Sequence, residues 1–262
     1  MLRRLSFLFV IIFSFILFSQ KTDAQKITYS SVPRYDLMNT TPEVCLAPEA
    51  ESDSSKRTQT PPIESDYCLD VPILLYHHIQ PQIFAKEKGQ TSLSVDSEVF
   101  DTQMKFLRDY GYAAITADSL INALSSRSNL PPKSILITID DGYKDNFLYA
   151  FPILRKHRLV GNFMIPSGLL GEKDFMTRED LKQISSSGVG YIVSHTWSHF
   201  PLSQGSREKI RQEIGTAKIQ LAGITGQKVN TFAYPYGDFD DKSISVLKSE
   251  GFTGAFSTIS GF

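Results

Sequence analysis

Two short motifs supply acids and imidazoles that could hold a metal ion and move a proton. Asp140-Asp141-Gly142 gives two adjacent carboxylates, and His195 and His199 are separated by three residues. Two imidazoles at this spacing can converge on one ion, and two histidines with one carboxylate leave coordination positions open for water and substrate. Neighbouring side chains at a strand end point in different directions, so one aspartate can bind the ion while the other handles protons. The residues alone leave open which aspartate does which.

Both motifs follow predicted strands. Residues 135–139 form a dense apolar run that leads into Asp140, and residues 190–193 lead into His195. The carboxyl ends of parallel strands are where the sites of α/β folds assemble. We therefore expect the two acids and the two imidazoles to share one face of the molecule.

The rest of the chain from residue 67 alternates short apolar runs with amphipathic stretches, which predicts an α/β fold around a parallel sheet. Further strands are predicted at residues 71–76, 160–165, 229–234 and 255–258. Helices are predicted around residues 100–107, 149–154, 177–188, 210–221 and 241–250, the third opening on a capping box of Thr177 and Asp180. Six or seven such units fit a barrel or a twisted open sheet equally well. His157, between Lys156 and Arg158, is expected on an exposed helix face.

The N-terminal region has the order of an export signal. Arg3 and Arg4 precede an apolar run at residues 5–18, which at about fourteen residues is short for a bilayer-spanning helix. We interpret residues 1–24 as a signal peptide, with an uncleaved anchor as the alternative. The chain is then exported to the periplasm, the cell surface or the extracellular space.

Residues 25–66 are rich in Ser, Thr, Pro and Glu and predict a flexible leader before a folded domain at residues 67–262. The two cysteines of the chain, Cys45 and Cys68, could pair under oxidising conditions, or they could be unrelated thiols.

Composition and absent motifs exclude other classes of function. A formal net charge of −1 gives no basic surface for nucleic acid. The sequence has no Gly-x-Ser-x-Gly nucleophile elbow and no glycine-rich phosphate loop, which argues against a serine hydrolase of that type and against phosphate chemistry.

Five ordered blocks of sequence resemble one family, the polysaccharide deacetylases of carbohydrate esterase family four. The blocks are residues 72–79 (PILLYHHI), 100–112, 138–143 (TIDDGY), 194–199 (SHTWSH) and 232–237 (FAYPYG). The first and last blocks look most like the branch that removes acetyl groups from exported poly-β-1,6-N-acetylglucosamine. The resemblance implies a distorted (β/α) barrel of about seven strands.

The resemblance also assigns roles. It implies that Asp141, His195 and His199 bind a divalent metal, that Asp140 is the general base, and that the backbone N–H of Tyr236 holds the oxyanion. Zinc is the expected ion because it accepts mixed nitrogen and oxygen ligands, and Co²⁺, Ni²⁺ or Fe²⁺ would also suit the ligand set.

Three more residues are candidates for contact with the substrate. Pro235 would stiffen the loop that carries Tyr236, Trp197 would offer a face for sugar stacking, and His78 or its neighbour His77 would point to the site from the end of the first strand. The alternatives are an ordinary turn for Pro235, a packing anchor for Trp197 and a packed strand-end histidine.

The sequence departs from the family pattern in two places. Residues 232–235 read Phe-Ala-Tyr-Pro where many members carry an arginine that orients the base. The family's late block, which in many members carries a Leu-x-His general acid, would lie beyond Phe262. We expect either a C-terminally incomplete domain or another group that protonates the leaving amine.

The predicted function is hydrolytic N-deacetylation of an exported N-acetylglucosamine polymer, with release of acetate. The expected protein is monomeric, binds N-acetylated polysaccharide but no nucleic acid, and associates with the membrane or cell envelope. The alternatives are deacetylation of peptidoglycan or chitin oligosaccharides, and a non-catalytic glycan-binding protein of the same fold.

Overall fold

The computed structural model describes residues 67–259 and a short strand, β1, at Val44–Cys45. The predicted signal peptide, the rest of the predicted leader and the last three residues lie outside this part. β1 pairs antiparallel with β2 (Cys68–Leu69), with Cys45 opposite Cys68, and Cys68 is disulfide-bonded. Within the described residues, the helices are all too short or too polar to span a bilayer.

A parallel sheet of seven strands forms the centre of the described domain. Its strands are β3 (Ile73–Tyr76), β6 (Ala113–Ala114), β7 (Ser134–Ile139), β8 (Gly161–Ile165), β9 (Gly190–Ser194), β10 (Thr231–Ala233) and β11 (Gly254–Phe256). The spatial order is β11-β10-β9-β8-β7-β3, and β6 pairs with the first residues of β7. Two further short strands, β4 (His78–Ile79) and β5 (Ser94–Val95), pair with each other outside this sheet.

Helices cover the outer face of the sheet. They are α2 (Ser97–Asp109), α4 (Phe151–His157), α5 (Arg178–Ser186), α6 (Arg207–Thr225) and α7 (Asp241–Ser249), whereas α1 (Gln82–Glu87) contacts β5. The larger apolar core joins side chains of β7, such as Ile135 and Ile137, to buried residues of the outer helices, such as Met104 and Ile210. The predicted capping box of Thr177 and Asp180 is present at the start of α5.

Another helix, α3 (Ala117–Ser126), packs against the opposite, inner face of the sheet. Its side chains Leu120, Ile121 and Leu124 join Leu136 and Met164 in a second apolar cluster. Packing is tight here, since a Cβ on the first residue of β11, a glycine, would lie 2.3 Å from Ile121. The inner face at this level is therefore filled by a helix and is not open to solvent.

The sheet curls into a half-barrel, which confirms the predicted (β/α) barrel class. A cavity of about 40 Å³ is lined both by Ile73 and Leu75 of β3 and by Phe256 of β11, the two outer strands of the order above. A flat sheet would separate these strands by several strand spacings of about 4.8 Å each. Curling brings them to one cavity, which Asp140 also lines.

The structure differs from the sequence predictions in two respects. The expectation of an exposed His157 is wrong, because the side chain is buried between α2 and α4, with Nε2 2.7 Å from Oδ1 of Asp101 and Nδ1 3.1 Å from Arg108. The predicted helix through residues 149–154 begins with a π-helical turn, Asn146–Ala150, before α4.

Candidate active site

The two aspartates lie where β7 ends, at the carboxyl edge of the sheet. The backbone N–H of Asp140 donates to the carbonyl of Tyr76 at the end of β3 (2.8 Å), which continues the ladder one residue past the strand. Asp141 then turns the chain with φ of 72°, and Gly142 follows with φ of 69°. This reversal separates the directions of the two carboxylates.

The two histidines are delivered by the loop after β9. Nε2 of His199 lies 3.0 Å and Nε2 of His195 lies 3.4 Å from Oδ1 of Asp141. One ligand atom from each of the three residues lies within 4.8 Å of the other two. Burial alone would raise the pKa of Asp141, and the hydrogen bonds and charges of the two histidines outweigh it and hold that pKa well below its ordinary value.

The tautomer of His195 is fixed by the next strand. Its Nδ1 donates to the carbonyl oxygen of Ala233 in β10 at 2.8 Å. Because a carbonyl only accepts, Nδ1 carries a proton, and Nε2, which faces Asp141, is the nitrogen that binds a metal once it is unprotonated. Such a bond to the second nitrogen is typical of metal-binding histidines. Two imidazole nitrogens and one carboxylate oxygen suit zinc and related divalent ions, so the residues fit a resident metal.

Four residues around this cluster have left-handed backbone conformations. Positive φ values occur at Asp141 (72°), Thr196 (65°), His199 (60°) and Tyr236 (59°). Non-glycine residues seldom adopt this region, and where they do so the strain tends to occur at functional sites. The geometry of the three-residue cluster is therefore maintained by the surrounding contacts against local backbone preference.

Asp140 has a different environment from its neighbour. Its Oδ1 is buried and has no hydrogen-bond partner among the described residues. Burial, and after it the negative charge of Asp141, raises the pKa of Asp140 well above its ordinary value. This agrees with the sequence observation that the arginine position of the family is not filled by a cation, and it leaves one buried carboxylate oxygen without a hydrogen-bond partner.

The turn after β10 places Tyr236 at the mouth of the site. This residue is 70% exposed, and its ring meets His199 edge to face, with the ring centroids 4.7 Å apart. Pro235 is buried at the first position of the 3₁₀ turn Pro235–Gly237. Tyr236 lies inside this tight turn with a left-handed backbone (φ 59°), and the turn is closed by the N–H of Gly237, which donates to the carbonyl of Tyr234 at 2.8 Å.

The two histidines after β3 have different surroundings. His78 is buried, with Nδ1 2.7 Å from Oδ2 of Asp145 and its ring stacked on Tyr143 at 3.7 Å between centroids. His77 is largely buried, and this burial lowers its pKa. The negative charge of Asp141 acts in the opposite direction and raises the pKa of His77. The hydroxyl of Tyr143 donates to Asp141, and burial together with that carboxylate raises the pKa of Tyr143.

Trp197 packs onto the loop after β8. Its carbonyl accepts from the N–H of Gly168 at 2.7 Å, and a Cβ on Gly168 would lie 2.6 Å from the indole Nε1. The indole thus contacts a neighbouring loop of the protein at its edge, in the manner of an anchor.

The loop at residues 195–199, here called the histidine loop, has a partner on α6 that was not among the residues predicted from the sequence. Glu213 accepts from the backbone N–H groups of Trp197 and Ser198 at 3.0 and 2.8 Å, and it is completely buried. The available signal was its position, since Glu213 interrupts the apolar stripe of Ile210 and Ile214 with a charge.

Comparison with known proteins places this geometry in a family. Residues 127–255 match the sequence profile of the polysaccharide deacetylases. The matched segment contains both aspartates, both histidines and the turn of Tyr236. The chain carries a polysaccharide deacetylase domain. The family is metal-dependent, and its members are hydrolases that act on N-acetyl amide bonds.

Individual relatives agree with this assignment. The chain is 27% identical over 199 residues to YxkH of Bacillus subtilis, provisionally named a polysaccharide deacetylase, covering 76% of this chain and 68% of that protein. It is 24% identical over 187 residues to the poly-β-1,6-N-acetyl-D-glucosamine N-deacetylase of Staphylococcus aureus, covering 66% of this chain and 64% of that enzyme. The matched region is thus about two thirds of each relative.

A solved structure supports the fold. The deacetylase PplD of Streptococcus pyogenes, determined in complex with acetate, superposes with a TM-score of 0.66 and 26% identity, covering 70% of this chain and 81% of that one. The deacetylase domain thus shares its half-barrel with another deacetylase.

Proposed function

We propose that this protein is an exported, metal-dependent N-deacetylase of poly-β-1,6-N-acetylglucosamine. The observation that carries the proposal is the convergence of Asp141, His195 and His199 beside the unpartnered carboxylate oxygen of Asp140. A ligand set with open positions and a free acid suits hydrolysis. The similarity to the S. aureus enzyme supports the polymer, at 24% identity.

Asp141, His195 and His199 would hold the metal. Zinc suits their mixed donors, and Co²⁺, Ni²⁺ or Fe²⁺ would suit them as well. When bound, the ion supplies a Lewis acid that lowers the pKa of a water molecule and polarises the acetyl carbonyl. The Nδ1–H bond of His195 to Ala233 keeps Nε2 of that ring available as a ligand.

Asp140 would take the proton of the attacking water. Its raised pKa makes it a better proton acceptor than an ordinary carboxylate, and its unpartnered oxygen leaves room for that proton. The N–H of Tyr236, fixed by the turn at Pro235, would donate to the oxyanion that develops on the acetyl group.

A second group must protonate the leaving amine. We propose His77 for this role, because the charges of Asp141, His195 and His199 all act on its pKa, whereas His78 is bonded to Asp145 and stacked on Tyr143. His78 would then support the site through Tyr143, and Trp197 would anchor the histidine loop and present at most its edge to the sugar chain.

The function is tested by acetate release from matched polymers. We expect the purified, zinc-loaded protein to release acetate from poly-β-1,6-N-acetylglucosamine faster than from chitin oligosaccharides or peptidoglycan, and to lose this activity on chelation. Equal or faster release from peptidoglycan would replace the proposed substrate. Absence of acetate from all three polymers would contradict the proposed chemistry.

A further inference from the structure

A buried carboxylate outside the ligand cluster contacts the loop that carries His199. Glu213 lies on α6 and has no solvent exposure. Its Oε2 accepts from the N–H groups of Trp197 (3.0 Å) and Ser198 (2.8 Å), and its Oε1 accepts from the hydroxyl of Ser198 (2.7 Å). Lys209, one turn earlier on α6, adds an ion pair at 2.7 Å.

These bonds explain how Glu213 can carry a negative charge although its side chain has no contact with solvent. A buried ionised carboxylate is strongly unfavourable unless it is paired and hydrogen-bonded. Burial alone would raise the pKa of Glu213, and the hydrogen bonds from Lys209 and Ser198 outweigh it and hold that pKa below its ordinary value. Glu213 is thus ionised at neutral pH, and each of its oxygens has two donors.

The loop donors to Glu213 come from two consecutive residues, Trp197 and Ser198. These two residues lie between Thr196 and His199, which both have positive φ values. A segment that reverses twice within four residues against backbone preference needs external bonds to stay in one conformation. Glu213 supplies two such bonds to the backbone and one to a side chain.

We propose that Glu213 is a positioning residue for the metal site, which fixes the loop at residues 196–199 so that Nε2 of His199 meets Asp141 and thereby sets the metal affinity. The inference rests on the metal-dependent function proposed above. It extends the site from the strand ends to α6, which contributes no ligand to the cluster.

The test compares metal affinity with stability in variants of the full chain. In Glu213→Gln, an amide nitrogen replaces one carboxylate oxygen. This nitrogen cannot accept a hydrogen bond, so the bonds to that oxygen are lost while the side chain keeps its size. We expect the affinity for Zn²⁺, measured by competition with a chromophoric chelator, to fall on the order of 10- to 100-fold, the usual effect of removing a residue that orients a ligand. The visible spectrum of the Co²⁺-loaded variant should also change, because it reports ligand geometry.

Asp101→Asn is the matched control. Asp101 also combines an ion pair with a hydrogen bond to a second side chain, yet it joins α2 to α4 through Lys156 and His157. We expect it to lower the melting temperature of the metal-free protein and to leave the Zn²⁺ affinity at the parent value. Ser198→Ala, which removes a single donor, should give a smaller loss of affinity than Glu213→Gln.

The outcomes are distinguishable. A Glu213→Gln protein that melts earlier but binds Zn²⁺ and Co²⁺ like the parent overturns the positioning role. If Glu213→Gln does not fold, the same measurement is made on Ser198→Ala and Lys209→Met. A Zn²⁺ affinity equal to that of the parent in both variants overturns the positioning role. A parent protein that binds none of these ions overturns the proposed function itself, and this inference with it.

Discussion

Two residues of the same type, adjacent in the chain, have opposite electrostatic environments. The histidines hold the pKa of Asp141 down, whereas burial and the charge of Asp141 push the pKa of Asp140 up. A pair of acids whose pKa values are driven apart by their surroundings is a frequent basis for assigning separate catalytic roles. The reversal of the backbone at Asp141 is what gives each carboxylate its own surroundings.

Replacement of Asp140 by Asn should separate chemistry from metal binding. The amide cannot accept the water proton, so we expect kcat to fall by roughly 10²- to 10⁴-fold while bound zinc stays near the parent content. Acetate release and metal analysis of the same sample provide the measurement.

Asp141→Asn is the matched comparison, because it makes the same chemical change one residue away. Both zinc content and activity should fall in that variant. If Asp140→Asn instead lost the metal, or Asp141→Asn kept it, the two roles would have to be exchanged.

At this scale the sequence predicts the cluster but not what supports it. The motifs around Asp140 and His195 follow strands, so local pattern places them at one edge of the sheet. Glu213 and Asp145 act through contacts across longer sequence separations, such as the 67 residues between His78 and Asp145. A single sequence can mark a charge within an apolar stripe, as at Glu213, but it contains no local signal for the partner of that charge.

The loops after β8 and β9 act as one packed element. The N–H of Gly168 bonds to the carbonyl of Trp197, and the indole covers the α-carbon of that glycine. Glycine is required here by close approach, since its φ is not in the left-handed region. The position of the histidine loop therefore depends on both α6 and the loop after β8.

Gly168→Ala should disturb the site from outside it. The new methyl group would lie within 2.8 Å of the carbonyl oxygen and two indole atoms of Trp197, and overpacking of this kind costs about 1–3 kcal/mol. We expect a lower melting temperature and a lower zinc affinity, measured by thermal unfolding of the metal-free protein and by chelator competition.

Gly223→Ala on α6 is the control for the same substitution. Apart from the backbone of its own helix, no atom of the described residues lies within 4 Å of the added methyl group, and replacing a helix-interior glycine by alanine stabilises by about 0.5–1 kcal/mol. The two variants should therefore shift the melting temperature in opposite directions. A Gly168→Ala protein as stable as the parent would show that the loops are not coupled.

Most of the helices and strands could be predicted from the periodicity of apolar residues. The strong strands β7, β8 and β9 and the amphipathic helix α2 have clear patterns, and their observed bounds differ from the predicted ones by a few residues. The sequence analysis predicts no element at residues 113–126, where β6 has two residues and α3 lies against the inside of the half-barrel. The local signals of a helix were nevertheless present there, namely the N-cap at Thr116, the acidic Asp118 in the first turn, and the apolar spacing of Leu120, Ile121 and Leu124.

At the scale of the molecule, acid should destabilise the fold. The folded state holds the pKa of several carboxylates below their ordinary values, namely Asp101, Asp141, Asp180, Glu213 and Asp240. Such groups stabilise the fold above their unfolded pKa values of about 4, and this contribution is lost as the pH falls through the folded values. Asp140 acts in the opposite direction, because its folded pKa is raised.

The prediction is cleanest in the metal-free Asp140→Asn protein, in which the opposing group is absent. We expect its urea midpoint to fall slightly between pH 7 and about pH 5, because the unfolded state protonates His77 more readily than the folded state, and to fall further from about pH 4 to pH 3. A midpoint that stayed constant or rose over the acidic range would contradict the assigned directions.

The choice between a barrel and an open sheet also belongs to this scale. The spacing of strands and helices fits both, because periodicity reports which side of an element is apolar and not how far a sheet curls. α3 packs inside the curve and forms one apolar cluster with strands from β7 to β11. How far the sheet curls thus depends on the packing of many side chains that are far apart in the sequence.

The left-handed residues of the site have a consequence for engineering. Asp141, Thr196, His199 and Tyr236 occupy conformations that glycine would adopt without strain. Glycine would relieve the backbone strain at these four positions, and each such change would delete a side chain at the site. Selection for robustness and selection for turnover therefore oppose each other at these residues, and improvements in stability should be sought on the outer helices.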